Sequence, residues 1–189
     1  LEPLPLGPAA PTRKSDRDTE AMVIDGDRLW AAYEKHNMIW RYRRSDLRAL
    51  AAARPPLMRR WRSNSGAEGM VRLADGRFLV IEEGRSDDNP FSRVVLFDGD
   101  PTATGTSAVA LRYRRLPGYR ITDAAQLPDG RLLLLNRRFT LVDWVSARLT
   151  VASTEALGEG VTIEGRDLAT LEAPLTVDNM EGLSVTREG

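Results

Sequence analysis

The chain has 189 residues, 42% of them hydrophobic, so it can bury a core and one domain is the default count. Its 27 basic and 27 acidic side chains cancel, which leaves no net field toward nucleic acid or an anionic membrane, and no nucleic-acid partner is expected. With no cysteine and one histidine, His36, disulfides, thiolate zinc sites and multi-histidine centres are excluded; strongly apolar stretches such as Phe78 to Ile81 and Leu132 to Leu135 fall far short of the ~18 residues that span a bilayer.

In chain order, residues 1–17, with Pro3, Pro5, Pro8 and Pro11 followed by mixed charges, read as an arm or the remnant of a preceding module. From residue 18 onward one segment recurs: an acid, a small residue, an apolar stretch, a tight turn and a second apolar stretch. The first copy runs from Glu20-Ala21-Met22 through Asp25-Gly26 into Leu29 to Tyr33. The second runs from Glu68-Gly69-Met70 through Asp75-Gly76 into Phe78 to Ile81, and the third from Asp123-Ala124-Ala125 through Asp129-Gly130 into Leu132 to Leu135. A fourth, Glu181-Gly182-Leu183, stops where the sequence stops.

Asp-Gly between short apolar runs predicts an antiparallel hairpin closed by a two-residue turn. The copies recur at roughly the 40–50 residues of a propeller blade, with allowance for loop insertions. Residues 18–189 therefore read as an all-β, incomplete β-propeller of about three blades plus the start of a fourth. Between the copies, Pro55-Pro56, Ser86 to Pro90, Gly99 to Gly105, Pro117-Gly118 and Gly158 to Gly165 supply turns. One short helical turn is predicted, capped by Ser45 and running through Leu47 and Leu50 to Ala53. An open set of blades exposes unpaired strand edges, and missing blades or a second copy are expected to cover them.

Several phrases occur in the order typical of one known family. They are Asp18-Thr19-Glu20-Ala21-Met22, Asn64-Ser65-Gly66-Ala67-Glu68-Gly69-Met70, Ile121-Thr122-Asp123-Ala124-Ala125 with Leu127-Pro128-Asp129-Gly130-Arg131, and Asp178-Asn179-Met180-Glu181-Gly182-Leu183. On these the chain resembles the phytase-like domain of bacterial proteins described by esterase-like activity. The resemblance implies a propeller, hydrolysis of a small-molecule ester or phosphoester, a periplasmic or secreted location, and more sequence at either end. Where the family tends to end the third copy's second strand with an acid, this chain has Asn136 before Arg137 and Arg138.

In a propeller the first strand of each blade lines the central channel, so residues at one offset recur around the axis. Glu20, Glu68, Asp123 and Glu181 are assigned that offset, with Asn64, Asn179 and Asp18 just before three of them. Crowded carboxylates repel one another until a cation or a proton neutralises them. Calcium fits an oxygen-only set, and a bound ion can polarise an ester or phosphoryl oxygen. Two other readings stand beside it: carboxylates that cap strand-end amides or pair with arginines, and a catalytic pair sharing a proton.

A serine-nucleophile route is disfavoured, because there is no G-x-S-x-G and a triad has only His36 to recruit. Glu34, Glu82 and Glu83 read as solvated strand ends that also lie within reach of a channel mouth. Arg137 and Arg138 are candidate substrate-binding residues, because they follow an inner hairpin and guanidinium forks suit phosphate. Trp30, Trp40, Trp61 and Trp144 read as packing residues. The functional alternatives at this point are a metal-dependent hydrolase and a non-catalytic module that binds a ligand or protein around a structural calcium ion.

Overall fold

The computed structural model describes residues 18–62, 65–84, 89–140 and 144–186. The proposed arm, residues 1–17, and Asn64 lie outside them. The described residues form an all-β structure of three sheets, none closed into a barrel, with no helix beyond a 3-10 turn at Pro56–Met58. The first sheet is the antiparallel run β1 (Thr19–Asp25), β2 (Arg28–Tyr33), β3 (Met38–Arg43) and β4 (Ala49–Ala53). The second is β5 (Ala67–Arg72), β6 (Phe78–Glu82), β7 (Phe91–Phe97) and β8 (Ala108–Arg114). The third holds β9 (Arg120–Gln126), β10 (Leu132–Thr140) and β11 (Trp144–Ala152), and the chain then departs to form β12 (Thr162–Glu164) before closing the sheet with β13 (Arg166–Leu171). β12 pairs in parallel with β8 of the second sheet, Ile163 opposite Tyr113.

The hairpins form where Asp-Gly separates two apolar runs, but their turns differ. Asp25 pairs with Arg28 across two residues, and Gly26 takes φ +57°, as a tight turn with glycine first requires. In the other two the turn holds three residues rather than the expected two. Leu73 donates its N–H to the Arg77 carbonyl at 2.8 Å, and Leu127 donates to Arg131 at the same distance. Gly76 and Gly130 occupy the left-handed position at φ +91° and +89°. The aspartate of each pair locks the loop: Asp75 and Asp129 accept the backbone N–H two residues on, both at 3.0 Å, and the arginine Nε there, both at 2.8 Å.

The predicted helical turn at 45–53 is instead the edge strand β4, whose Ala49, Ala51, Ala52 and Ala53 pair with β3. Leu47 sits at φ +53°, outside helical space, and strand pairing outweighs the helix propensity of the alanines.

β5 lies beside both β1 and β9, so the sheets stack through their first strands. Alternating side chains then face alternate neighbours. Trp30, Ala32 and Ile39 meet Met70, Phe78 and Val80 between the first two sheets, with the Trp30 and Phe78 rings 5.0 Å apart. Leu79, Ile81, Val94 and Leu111 meet Ile121, Leu132 and Leu134 between the second and third. Each Val, Leu, Ile, Phe or Met side chain among them contributes roughly 1.5–3 kcal/mol on burial. Trp30 and Trp61 are buried as expected, and Trp40 stacks on Tyr42, but Trp144 is 73% exposed at the start of β11. On β1, Met22 and Ile24 are exposed, whereas Met70, at the place in β5 that Met22 holds in β1, is buried.

Candidate functional site

Each first strand carries one extra residue near its start. Thr19 pairs with Tyr33 and Ala21 with Ala32, Ala67 with Glu82 and Gly69 with Ile81, Ile121 with Asn136 and Asp123 with Leu135. The residues left over are Glu20, Glu68 and Thr122. Such bulges bend a strand and re-aim a side chain.

One step before each bulge the strands are tied again. Glu34 donates its N–H to the Asp18 carbonyl at 3.2 Å, Glu83 donates to Gly66 at 3.1 Å, and Arg137 pairs with Arg120. Three equivalent triplets result: Asp18, Glu20 and Glu34 on the first sheet; Gly66, Glu68 and Glu83 on the second; Arg120, Thr122 and Arg137 on the third. Charge thus runs from three acids through two to a pair of guanidinium groups along one end of the stack.

The first triplet converges, with carboxylate oxygens of Asp18, Glu20 and Glu34 all within 4.8 Å of one another. Gly66 permits this approach, since a Cβ there would lie 2.5 Å from Glu34 Cγ and 2.8 Å from its Cα. Burial, then repulsion from Glu34, Asp18, Glu181 and Glu83, pushes Glu20 up to about 7 from 4.5. Glu68 is pushed up to about 8, by burial first and then by Glu20, Glu83 and Glu34, while Arg137 pulls it back. Near pH 7 Glu68 is thus mostly neutral and Glu20 about half so, unless a cation joins them.

The other sequence-derived residues lie as follows. Asp123 falls one residue after the third bulge, where a one-residue step turns a side chain to the opposite face. Its carboxylate accepts the N–H groups of Leu183 and Ala124, both at 2.7 Å; burial raises its pKa and these two bonds lower it. Glu181 is exposed and accepts from Arg137 at 2.7 Å, close enough to Glu20 to add to its repulsion. Asn179, also exposed, accepts from Arg137 and donates to Glu181. Thr122 donates to the Met180 carbonyl at 3.1 Å, so residues 179–183 rest on β9. Arg138 lies over the Tyr119 ring, 5.1 Å from its centre. His36 occupies the turn between β2 and β3.

Of the strand-end acids, Glu34 joins the triplet and Glu83 lies between Ser65 Oγ and Arg120 Nη1, each at 3.4 Å. Glu82 is buried near Arg93 at 3.8 Å, and burial raises its pKa against the pull of that arginine. Arg120 went unnoticed in the sequence. Counting back from the turn leucines exposes the pattern: Glu68 and Thr122 stand equally far before Leu73 and Leu127, and Gly66 and Arg120 two places earlier.

The oxygen-only triplet suits a hard cation, which needs neither histidine nor cysteine. Among the described residues no helix is long and apolar enough to cross a membrane. No curated protein matches the chain. Among solved structures, one of a protein of unknown function from Bacteroides caccae aligns at 12% identity and a TM-score of 0.40, covering 83% of this chain and 61% of that one. The chain thus spans less than two thirds of that structure's length. The phytase-like family, described as "esterase-like activity of phytase", matches residues 3–189. The chain belongs to that phytase-like family.

Proposed function

We propose that the three sheets are consecutive blades of a β-propeller and that the mouth formed by their bulged strands is a calcium-dependent site for hydrolysis of an ester or phosphoester. The observation that carries this is the convergence of Asp18, Glu20 and Glu34 within 4.8 Å, beside a Glu68 raised to about 8. In this reading Asp18, Glu20 and Glu34 would hold the ion, which would relieve their mutual repulsion. Calcium when bound supplies a Lewis acid for a carbonyl or phosphoryl oxygen. Burial, the largest cause of Glu68's raised pKa, persists when the ion is bound, and Glu68 is the residue proposed to donate a proton to the leaving oxygen. Glu181 and Asn179 position Arg137 at the rim. Asp123 fastens the segment that follows β13 to β9.

The test is metal content and melting of chelator-free protein, with turnover of p-nitrophenyl acetate, p-nitrophenyl phosphate and phytate with and without calcium. Bound calcium, a melting temperature lowered by EDTA, and activity lost in Glu20→Gln are expected. Absence of calcium together with EDTA-insensitive melting removes the metal from the account.

A second reading is a non-catalytic binding module whose ion braces the first two sheets. It is favoured by the third sheet, where Thr122 and Arg137 stand at positions that are acidic in the other two. Calcium-stabilised melting without turnover of any of the three substrates would select it.

A further inference from the structure

Over the third sheet the same mouth opens into a cavity of about 730 Å³, within the size range of small-molecule sites. Arg115, Arg120, Arg137 and Arg138 line it together with the rings of Tyr119 and Phe139, and among the described residues no carboxylate does so. β10 creates this space by its length: past Asn136, the equivalent of the last strand residues Tyr33 and Glu82, it runs on through Arg137, Arg138, Phe139 and Thr140. Phe139 is thereby left 62% exposed.

The guanidinium groups are held from behind. Arg115 donates to the carbonyls of Gly84 and Asn89, Arg120 to Glu83, and Arg137 to Glu181. Arg138 lies on one ring, Tyr119, that Arg148 also approaches at 5.1 Å. Two of the four share their charge with Glu83 and Glu181, and an oxyanion entering a space lined by four guanidinium groups can accept charge-assisted hydrogen bonds from them.

We propose that this cavity binds the oxyanion group, carboxylate or phosphate, of an organic ligand whose apolar part lies against Phe139. The assignment rests on the proposed function only for its meaning: if the mouth is hydrolytic, this is where the anionic end of the substrate is held, opposite the acids.

Calorimetric titration of the full chain with phenyl phosphate, benzoate and benzyl alcohol tests it. At least one oxyanion should bind and the alcohol should not, and the preference between the two identifies the group. Arg120→Gln and Arg138→Gln should each weaken binding by about tenfold, the scale of one charge-assisted hydrogen bond. Phe139→Ala should weaken phenyl phosphate while leaving inorganic phosphate unchanged. If Arg138→Gln unfolds for want of its contact with Tyr119, as circular dichroism would reveal, Arg120→Gln carries the comparison. Equal binding of benzyl alcohol, wild-type affinity in folded arginine variants, or no oxyanion binding at millimolar concentration overturns the proposal. Glu20→Gln separates the two ideas, because it should abolish the calcium response and spare oxyanion binding.

Discussion

Glu68 couples the site to the stability of the chain. Burial and its acidic neighbours lift it from 4.5 to about 8, so between those pH values the folded state holds a proton that the unfolded state has released. Stability attributable to this residue is full below about 4.5 and is lost as pH rises toward 8. In EDTA the melting temperature is therefore expected to fall from pH 5 to pH 8, and Glu68→Gln, which mimics the protonated form, should flatten that slope in a melting series. Calcium should stabilise more at pH 8 than at pH 5, where Glu20 is also neutral. Gly66 is the other sensitive residue. A methyl group there meets Glu34 backbone as well as side chain, so Gly66→Ala should cost about 1–3 kcal/mol in denaturant titration and weaken any cation held by Glu34.

Among the elements, the hairpins were legible because glycine beside aspartate between apolar runs leaves few other conformations. Whether two or three residues formed the turn was not legible, since Asp-Gly serves both, and the side-chain lock from Asp75 or Asp129 to an arginine two residues on decided it. Gly130→Ala forces an alanine into left-handed space and is expected to destabilise by about 1–2 kcal/mol, read from the urea midpoint. β4 was hidden because its alanines carry no strand signal and β3 alone fixes their conformation. The slip at Asp123 came from aligning acids with acids. The bulge counts backbone positions and does not read side-chain type, so Thr122 took the place that chemistry had assigned to its neighbour.

At the scale of the whole molecule, the repeat made three stacked sheets legible, and Asp18, Glu20 and Glu68 were named as candidate site residues from sequence alone, whereas Glu34 and Glu83 read first as solvated strand ends. The reversal of charge on the third sheet was not, because it emerges only when Arg120 and Arg137 are seen opposite each other in β9 and β10. The outer face of β1 is a place where the stacking stops short: Met22 is 58% exposed while Met70 is 2% exposed. Light scattering is expected to find association that grows with concentration and weakens in Met22→Glu, the outcome if a second copy covers that face. The three sheets are also unequally joined. β12 leaves the third sheet to hydrogen-bond along β8 of the second, with Ile163 buried and Glu164 meeting Arg114 at 2.8 Å, so those two are clasped by backbone as well as by core. In hydrogen exchange the first sheet should peel away alone, and the clasped pair should surrender its amides later and together.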